Sequence, residues 1–594
     1  MSLKTGVSAN NVQNQFVQTL RQKLLGLRDE ATGAWTGELS SSALSTSLSL
    51  VALLDEQATH QSLTSARWLE AHQNEDGGWG DTPASHSNLS TTLMTRAALC
   101  LYQKKTKSLD FHLVIQRATD WVVERTGGLA FPQLISALSD LYGNDRTFAI
   151  PILAFLAICE EDDQVWPTIP PLPFLLALLP QSVYRFFKLQ IVSYALPALI
   201  AIGLCRHVCA AASRRSRAWG VWVAKPLLKK LEGLQPPHGG FLDAIPLTAF
   251  VCLALSKSGY SAHPVVYRAK AFLRASYRPD GSYPIDTNLR IWVTTLATRA
   301  LLKNATALDF SLADKQRLAQ WILEKQQTNV HPYTGAQPGG WAWTDCAGGV
   351  PDADDTSAAL VALHHLRQAG VALEMSEAVQ AGIHWLLDLQ NQDGGMPTFC
   401  KGWGRLPFDQ SCPDIAAHAL LGFVLWREHI PISERPLRRL IAYLKRVQHD
   451  DGRWVPLWFG NQEAPGGRNP VVGTARVIDA LQQASLKGFG CRDLPAMIAD
   501  GVSWLLRHQR PDGAWGGGQQ GTCEETALAV IALRESDTDT ARQAVSRGCA
   551  WLVKQGINPQ PAPIGLYFSL LWYHENLYPL TWMLEALTGT VSNE

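Results

Sequence analysis

Three carboxylates, Asp352, Asp354 and Asp355, fall close together in the run PDADDT (Pro351–Thr356), just ahead of the apolar stretch Ser357–Leu363. Like charges at this spacing resist full ionisation, so one of them can hold a proton near neutral pH. Thr356 and Asp355 read as caps at a helix N-terminus. The expectation is a strong acid directed into a cavity. A second segment, PDIAAH (Pro413–His418), carries the complementary group. Asp414 can start a helix, and His418, four residues on, shares its face. The surrounding AAHALL (Ala416–Leu421) is too apolar for an imidazole without a partner, and Asp354 is the expected one. A protonated His418 and helix N-terminal amides would favour the aspartate's conjugate base. The acid becomes stronger but is less protonated at rest, so water or Asp352 must return its proton.

A strong acid in an apolar hollow is suited to protonating an alkene. The resulting carbocation needs negative potential without a nucleophile, and aromatic faces supply it at about 1–2 kcal/mol each when desolvated. The chain has 21 Trp, 13 Tyr and 18 Phe. Candidates are Trp292, Trp341, Trp343, Phe399, Trp458, Tyr578 and the run Tyr567–Tyr573. Other chemistries fit less well. A glycosidase would surround its carboxylates with polar groups. A zinc prenyltransferase needs an Asp, Cys and His ligand set that cannot be assembled here. The acidic run Glu160–Asp163 does not match a DDxxD metal motif. A non-catalytic polyprene-binding protein is the alternative outside enzymology.

The elements that would position these groups form a repeat. A helical stretch ends in Gln or another polar residue, followed by a Gly-rich turn and usually an aromatic. The copies are QNEDGGW (Gln73–Trp79), RPDGSY (Arg278–Tyr283), QNQDGGM (Gln390–Met396), QHDDGRW (Gln448–Trp454) and QRPDGAW (Gln509–Trp515). Weaker ones end at Trp35, Phe241 and Trp341. Apolar residues between them recur at three- and four-residue spacing, which predicts helices. Stacked helix pairs can close into a double ring around a hollow. The predicted fold class is all-α, with two α/α barrel domains. Residues 1–30 and 230–594 are expected to form the domain carrying the acid motif, and 31–229 the second. The second contains an apolar region over about 145–210, read as dipping into one membrane leaflet or lining a greasy entrance. Its run Leu189–Cys205 is uncharged, short for a spanning helix and broken by Pro197.

With 52 basic and 52 acidic residues the chain has no net charge, which argues against nucleic acid as a partner. Met1–Gln22 is polar and predicts no secretory signal. The 11 cysteines lack a CxxC pair and read as reduced thiols.

DADDT (Asp352–Thr356) preceded by PGGWAW (Pro338–Trp343), the Gln…Gly-aromatic repeats, PDIAAH and YHENLYP (Tyr573–Pro579) together resemble squalene–hopene cyclases and related class II triterpene cyclases. The resemblance implies two helical barrels and a monotopic protein on the cytoplasmic side of the membrane, commonly a homodimer. It implies a polyprene substrate closed into rings after protonation of a terminal alkene, with no metal or organic cofactor. Asp354 matches the proton donor, Asp352 and Asp355 its neighbours, and His418 its partner. Trp292, Phe399 and Trp458 look like cavity aromatics, with Trp343, Trp166 and Tyr573 as further candidates. The chain departs from the hopene-forming pattern at SSSALSTS (Ser40–Ser47), TTLMTR (Thr91–Arg96), Ile245–Pro246, TDCAGGV (Thr344–Val350) and Met396. These differences bear on substrate and product.

Overall fold

The computed structural model describes residues 9–54, 60–143, 146–161, 163–180, 183, 196–211, 214–303, 310–332, 335–399, 408–565 and 571–588. It is all-helical apart from isolated β-bridges among these residues. Helices Arg290–Leu302, Ala353–Gln368, Pro413–Trp426, Pro470–Leu486, Cys523–Leu533 and Leu577–Thr588 pack side by side in that order, and the last returns to the first. They form a closed inner ring. Their all-round apolarity explains their place: every residue of Pro413–Trp426 and of Cys523–Leu533 is buried. The helices outside them bury one face only. Glu434–Val447 turns Leu437, Leu440, Ile441 and Leu444 inward and carries its arginines outward.

A second ring has the same logic. Ala43–Leu53, Leu89–Thr106, Arg146–Glu160, Leu196–Cys209 and Ile245–Leu255 close on one another. The two toroids have separate apolar cores. One joins Val17–Leu39 to residues 285–587, and the other takes in residues from Ala43 to Tyr283. The packing therefore changes over near residue 284, whereas the sequence reading placed a boundary near 230. The turns at Phe241 and Tyr283 are repeats of the same kind as those of the first ring, and composition does not assign them to either.

The repeat is built from three recurring bonds. The Gln side chain donates to the carbonyl of the turn glycine and to one on a neighbouring outer helix. Gln390 reaches Gly394 at 2.9 Å and Pro436 at 3.0 Å; Gln448 reaches Gly452 at 3.0 Å and Met497 at 3.1 Å. The indole N–H donates back to the preceding helix, as from Trp454 to Leu444 at 2.8 Å. The third bond was not read from the sequence: a threonine in the next inner helix accepts the aromatic residue's backbone N–H. Thr474 serves Trp454 at 2.9 Å, and Thr356 serves Trp341 at 3.0 Å. The turn needs glycine where φ is positive. At Gly452 (φ 99°) a Cβ would lie 2.3 Å from the Asp500 carbonyl.

The apolar run Leu189–Cys205 lies partly outside the described residues. Its described part, from Leu196, belongs to an inner helix whose Leu196, Ile200, Leu204 and Cys205 are buried in the second core. This part is wall and core, with Leu199 and Ile202 facing the central cavity, so the leaflet-dipping reading does not hold for it. Among the described residues no helix is long and apolar enough to cross a membrane.

Candidate active site

A cavity of about 540 Å³ runs between the two toroids, with Leu44, Met94 and Phe250 contributed by one and Trp292, Asp354 and Phe459 by the other. The acid motif opens the inner helix Ala353–Gln368. Its N-cap is Asp352, whose side chain accepts the Asp355 N–H at 2.9 Å, rather than Asp355 or Thr356 as expected. The cap turns Asp354 and Asp355 into the first helical turn, and all three carboxyl groups line the cavity. Pro413 starts the next inner helix, placing Asp414 in its first turn and His418 one turn on.

The expected pair meets. His418 Nδ1 lies 2.6 Å from Asp354 Oδ1, with both side chains almost wholly buried. A third helix, Pro470–Leu486, supplies a group the sequence reading missed. Arg476 donates to both Asp354 oxygens at 3.3 Å each, and to Asp414 at 3.5 Å. Its guanidinium carbon sits 5.6 Å from the ring centres of Trp292 and Phe459. The available signal was a lone cation in the apolar run VVGTARVIDAL (Val471–Leu481), two residues after the repeat threonine.

Burial raises the pKa of every carboxyl here, and neighbours decide the outcome. For Asp354, the charges of Arg476 and His418 overcome burial and hold the carboxyl below its ordinary range. For Asp355, burial and the Asp352 and Asp354 charges push it well up. Asp352, lifted by burial against its cap hydrogen bonds, stands at about 7. His418 is pushed down by burial, with Asp354 pulling the other way. One ionised aspartate thus sits beside neighbours that hold protons. Behind His418 and Arg476 a chamber of about 40 Å³ is lined by Asp414, Arg299, Asp479 and Glu585. That is room for water.

The aromatic candidates fall into two contact groups. Trp343 and Phe399 stand 5.9 Å apart, and Phe399 and Trp458 meet edge-to-face at 5.4 Å. Phe408, which the sequence reading did not single out, completes this group 6.1 Å from Trp458. In a second group Trp292 stacks on Phe459 at 6.5 Å, and the Tyr573 and Tyr578 hydroxyls lie 3.4 Å apart. Residues 567–570 of the expected C-terminal aromatic run lie outside the described residues. Two expectations fail. Trp166 is wholly buried in the second core and does not line the cavity. Trp341 is the repeat tryptophan, its N–H held by the Ile322 carbonyl at 2.7 Å, and faces no substrate space.

With this geometry in view, comparison with known proteins is direct. The squalene-hopene cyclase C-terminal domain profile matches residues 289–524 and its N-terminal counterpart matches 17–207. The prenyltransferase alpha-alpha toroid profile matches 188–339. The chain belongs to the squalene–hopene cyclase-like class II terpene cyclase family. It is 26% identical over 624 residues to enfumafungin synthase of Hormonema carpetanum, covering 88% of this chain and 44% of that protein. To the squalene–hopene cyclase of Bradyrhizobium diazoefficiens it is 26% identical over 293 residues, 44% of this chain and 42% of the other. It thus spans less than half the length of the first curated relatives it matches. A copalyl diphosphate synthase of Streptomyces cyslabdanicus is 26% identical over 533 residues, covering 87% of this chain and 86% of that one. The solved ent-copalyl diphosphate synthase of Streptomyces platensis shares the fold, with a TM-score of 0.59, 18% identity, and 98% and 99% of the two chains covered.

Proposed function

We propose that this protein is a class II isoprenoid cyclase: Asp354 protonates a terminal alkene of a linear polyprene, and the carbocation closes rings along the cavity. The observation that carries this reading is the contact of Asp354 with His418 and Arg476 at the wall of a largely apolar, aromatic-lined cavity.

The chemistry follows from charge. A proton placed on Asp354 leaves a carboxylic acid facing two groups that favour its anion, so its O–H is a strong acid. The alkene π electrons take that proton, forming a C–H bond and a tertiary cation. The electrons of the O–H bond stay on the carboxylate, where Arg476 and His418 stabilise them. Trp292, Trp343, Phe399, Phe459 and Trp458 offer ring faces to the moving charge without forming a bond to it. Asp355 and Asp352, held protonated by burial, are the nearest store from which Asp354 is reloaded. Exclusion of water keeps the cation from being quenched.

The domain division we propose follows the two apolar cores, residues 17–39 with 285–587 and residues 43–283. We place the protein as a peripheral dimer on one membrane leaflet, at the cytoplasmic face. Leu175 and Leu178 are partly exposed just beyond Leu172 and Pro173 of the cavity wall, and Trp222 is 76% exposed on a neighbouring helix that packs against them. These would let an apolar substrate enter from lipid. The deciding experiment incubates the protein in membranes with squalene and C20–C35 polyprenes and seeks cyclic products by mass spectrometry. Cyclic product that persists undiminished in Asp354→Asn would overturn the mechanism.

A further inference from the structure

We propose that Asp286 is a substrate-binding residue that holds a neutral oxygen, so that the cavity is built for an uncharged, oxygen-bearing polyprene rather than a bare hydrocarbon or a diphosphate. This deepens, and rests on, the cyclase reading above.

Asp286 lines the cavity at the seam between the toroids, with Leu289, Trp292 and Trp343 on one side and Ala244 and Pro246 on the other. Its backbone is pinned on both flanks. Residues 244 and 286 pair as an antiparallel bridge, the Ile245 N–H donates to the Ile285 carbonyl at 3.2 Å, and the Thr287 N–H donates to the Asp243 carbonyl at 3.1 Å. These bonds fix the backbone that carries the carboxyl at the cavity wall.

Its partners leave one role open. Oδ1 accepts the Thr287 N–H at 2.8 Å. The nearby imidazole is already engaged: His238 pairs with Asp243 at 2.8 Å, and Asp243 also accepts the Gly348 N–H at 2.9 Å. Burial, reinforced by the Asp243 charge, pushes the Asp286 carboxyl well above its ordinary range, so it keeps its proton. It is therefore an O–H donor at the cavity wall. Beside it the Trp343 indole N–H is buried, makes no well-formed hydrogen bond elsewhere, and is directed at the Asp286 carboxyl. The two donors converge at one point of the wall, where the Asp286 carboxyl is the acceptor the indole faces. A hydrocarbon would leave the Asp286 O–H unpaired, which is costly in a dry cavity; a hydroxyl, carbonyl or epoxide oxygen would satisfy it. A diphosphate is the opposite case. The described lining residues include aspartates 81, 286, 352, 354 and 355 and no Lys, Arg or His. Among the described lining residues a diphosphate meets no cation to pair with, and burying its charge unpaired is costly.

The test uses saturated C20 probes, which have no alkene and so bind without reacting. Phytane, phytanol and phytanyl diphosphate are titrated into the full chain in one detergent, read by quenching of tryptophan fluorescence. Phytanol should bind about tenfold tighter than phytane, the scale of one buried hydrogen bond, and tighter than the diphosphate. Asp286→Leu should bring phytanol to within about twofold of phytane. Asp286→Asn, whose amide still donates, should keep the preference. Should Asp286→Leu not fold, Trp343→Phe replaces it, removing one donor while keeping the ring, and the alcohol preference should fall. Equal affinity for alkane and alcohol, tightest binding of the diphosphate, or an undiminished preference in Asp286→Leu (or in Trp343→Phe where it is substituted) overturns the proposal. Failure of the cyclase reading shows separately, as absence of rings from unsaturated substrates.

Discussion

Arg476 presents its two terminal nitrogens to the two carboxyl oxygens of Asp354, each pair 3.3 Å apart, from a helix that lies two places further round the ring. The same guanidinium is shared with Asp414 and packs over Trp292 and Phe459. It fixes where the carboxyl points and keeps its anion stable after proton loss. Arg476→Met would strip the Asp354 carboxylate of its cation while leaving it buried. Breaking a buried pair in this way costs about 3–5 kcal/mol. The expected outcome is a fall in melting temperature together with a loss of kcat of at least ~100-fold. Arg476→Lys, a point charge that cannot span both oxygens, should recover part of the stability and little of the rate. Calorimetry and single-substrate kinetics read the two effects separately.

Asp354→Asn keeps the shape of the side chain and removes the proton. Hydrogen bonds to His418 and Arg476 would be weakened rather than erased, so the fold should survive. Cyclic product should drop by ~1,000-fold or more, in the range of losing a general acid. Binding of a saturated C20 alcohol should change by no more than about threefold. A variant that loses binding and turnover together would point to a structural role for Asp354 instead.

The repeat was legible because each copy carries its own chemistry in a few consecutive residues: Gln390, Gly394 and Met396 act within one turn. Asp354 and His418 were legible for the same local reason, each set by a helix start and an apolar face. Arg476 was not, because only ring closure brings residue 476 to residue 354. Phe408 and Asp286 were missed likewise: their importance comes from facing the same hollow as Trp458 and Trp343. Trp166 was misplaced because a tryptophan among prolines has no feature that separates a cavity wall from a core. The domain boundary shifted because the turn at Tyr283 is of the same kind as the one at Trp454, although the two serve different cores.

Stability should fall as pH rises above about 6.5. Burial lifts Asp352, Glu525 and Glu575 to about 7 and Glu524 to about 8. Between the unfolded carboxylate range near 4 and these values the folded chain holds protons that the unfolded chain has released, which lowers stability as pH rises. Burial pushes His331, His364 and His574 to about 4 and His365 to about 3, and these oppose the decline until the unfolded imidazoles lose their protons near 6.5. Melting temperatures should therefore fall steadily only from about pH 6.5 to 8, and Glu525→Gln should flatten that limb. A rise in melting temperature over that window would contradict the protonated state of these groups.

Catalysis should share the alkaline loss for a separate reason. The Asp352 carboxyl, at about 7, loses its proton as pH rises, and with it part of the store that reloads Asp354. The rate kcat should therefore be level on the acid side and decline above an apparent pKa near 7. Asp352→Asn removes the titrating group and the cap acceptor's charge, but its amide oxygen still accepts the Asp355 N–H at the helix start. It should lower the plateau and abolish the limb near 7, leaving any fall to a group further up the scale such as Asp355. Initial rates between pH 5 and 9 at saturating substrate, compared between the two proteins, distinguish this from loss of fold, because unfolding would take binding away as well. An unchanged limb in Asp352→Asn would assign the reloading proton to another group, and the water chamber behind His418 and Arg476 would be the next place to look.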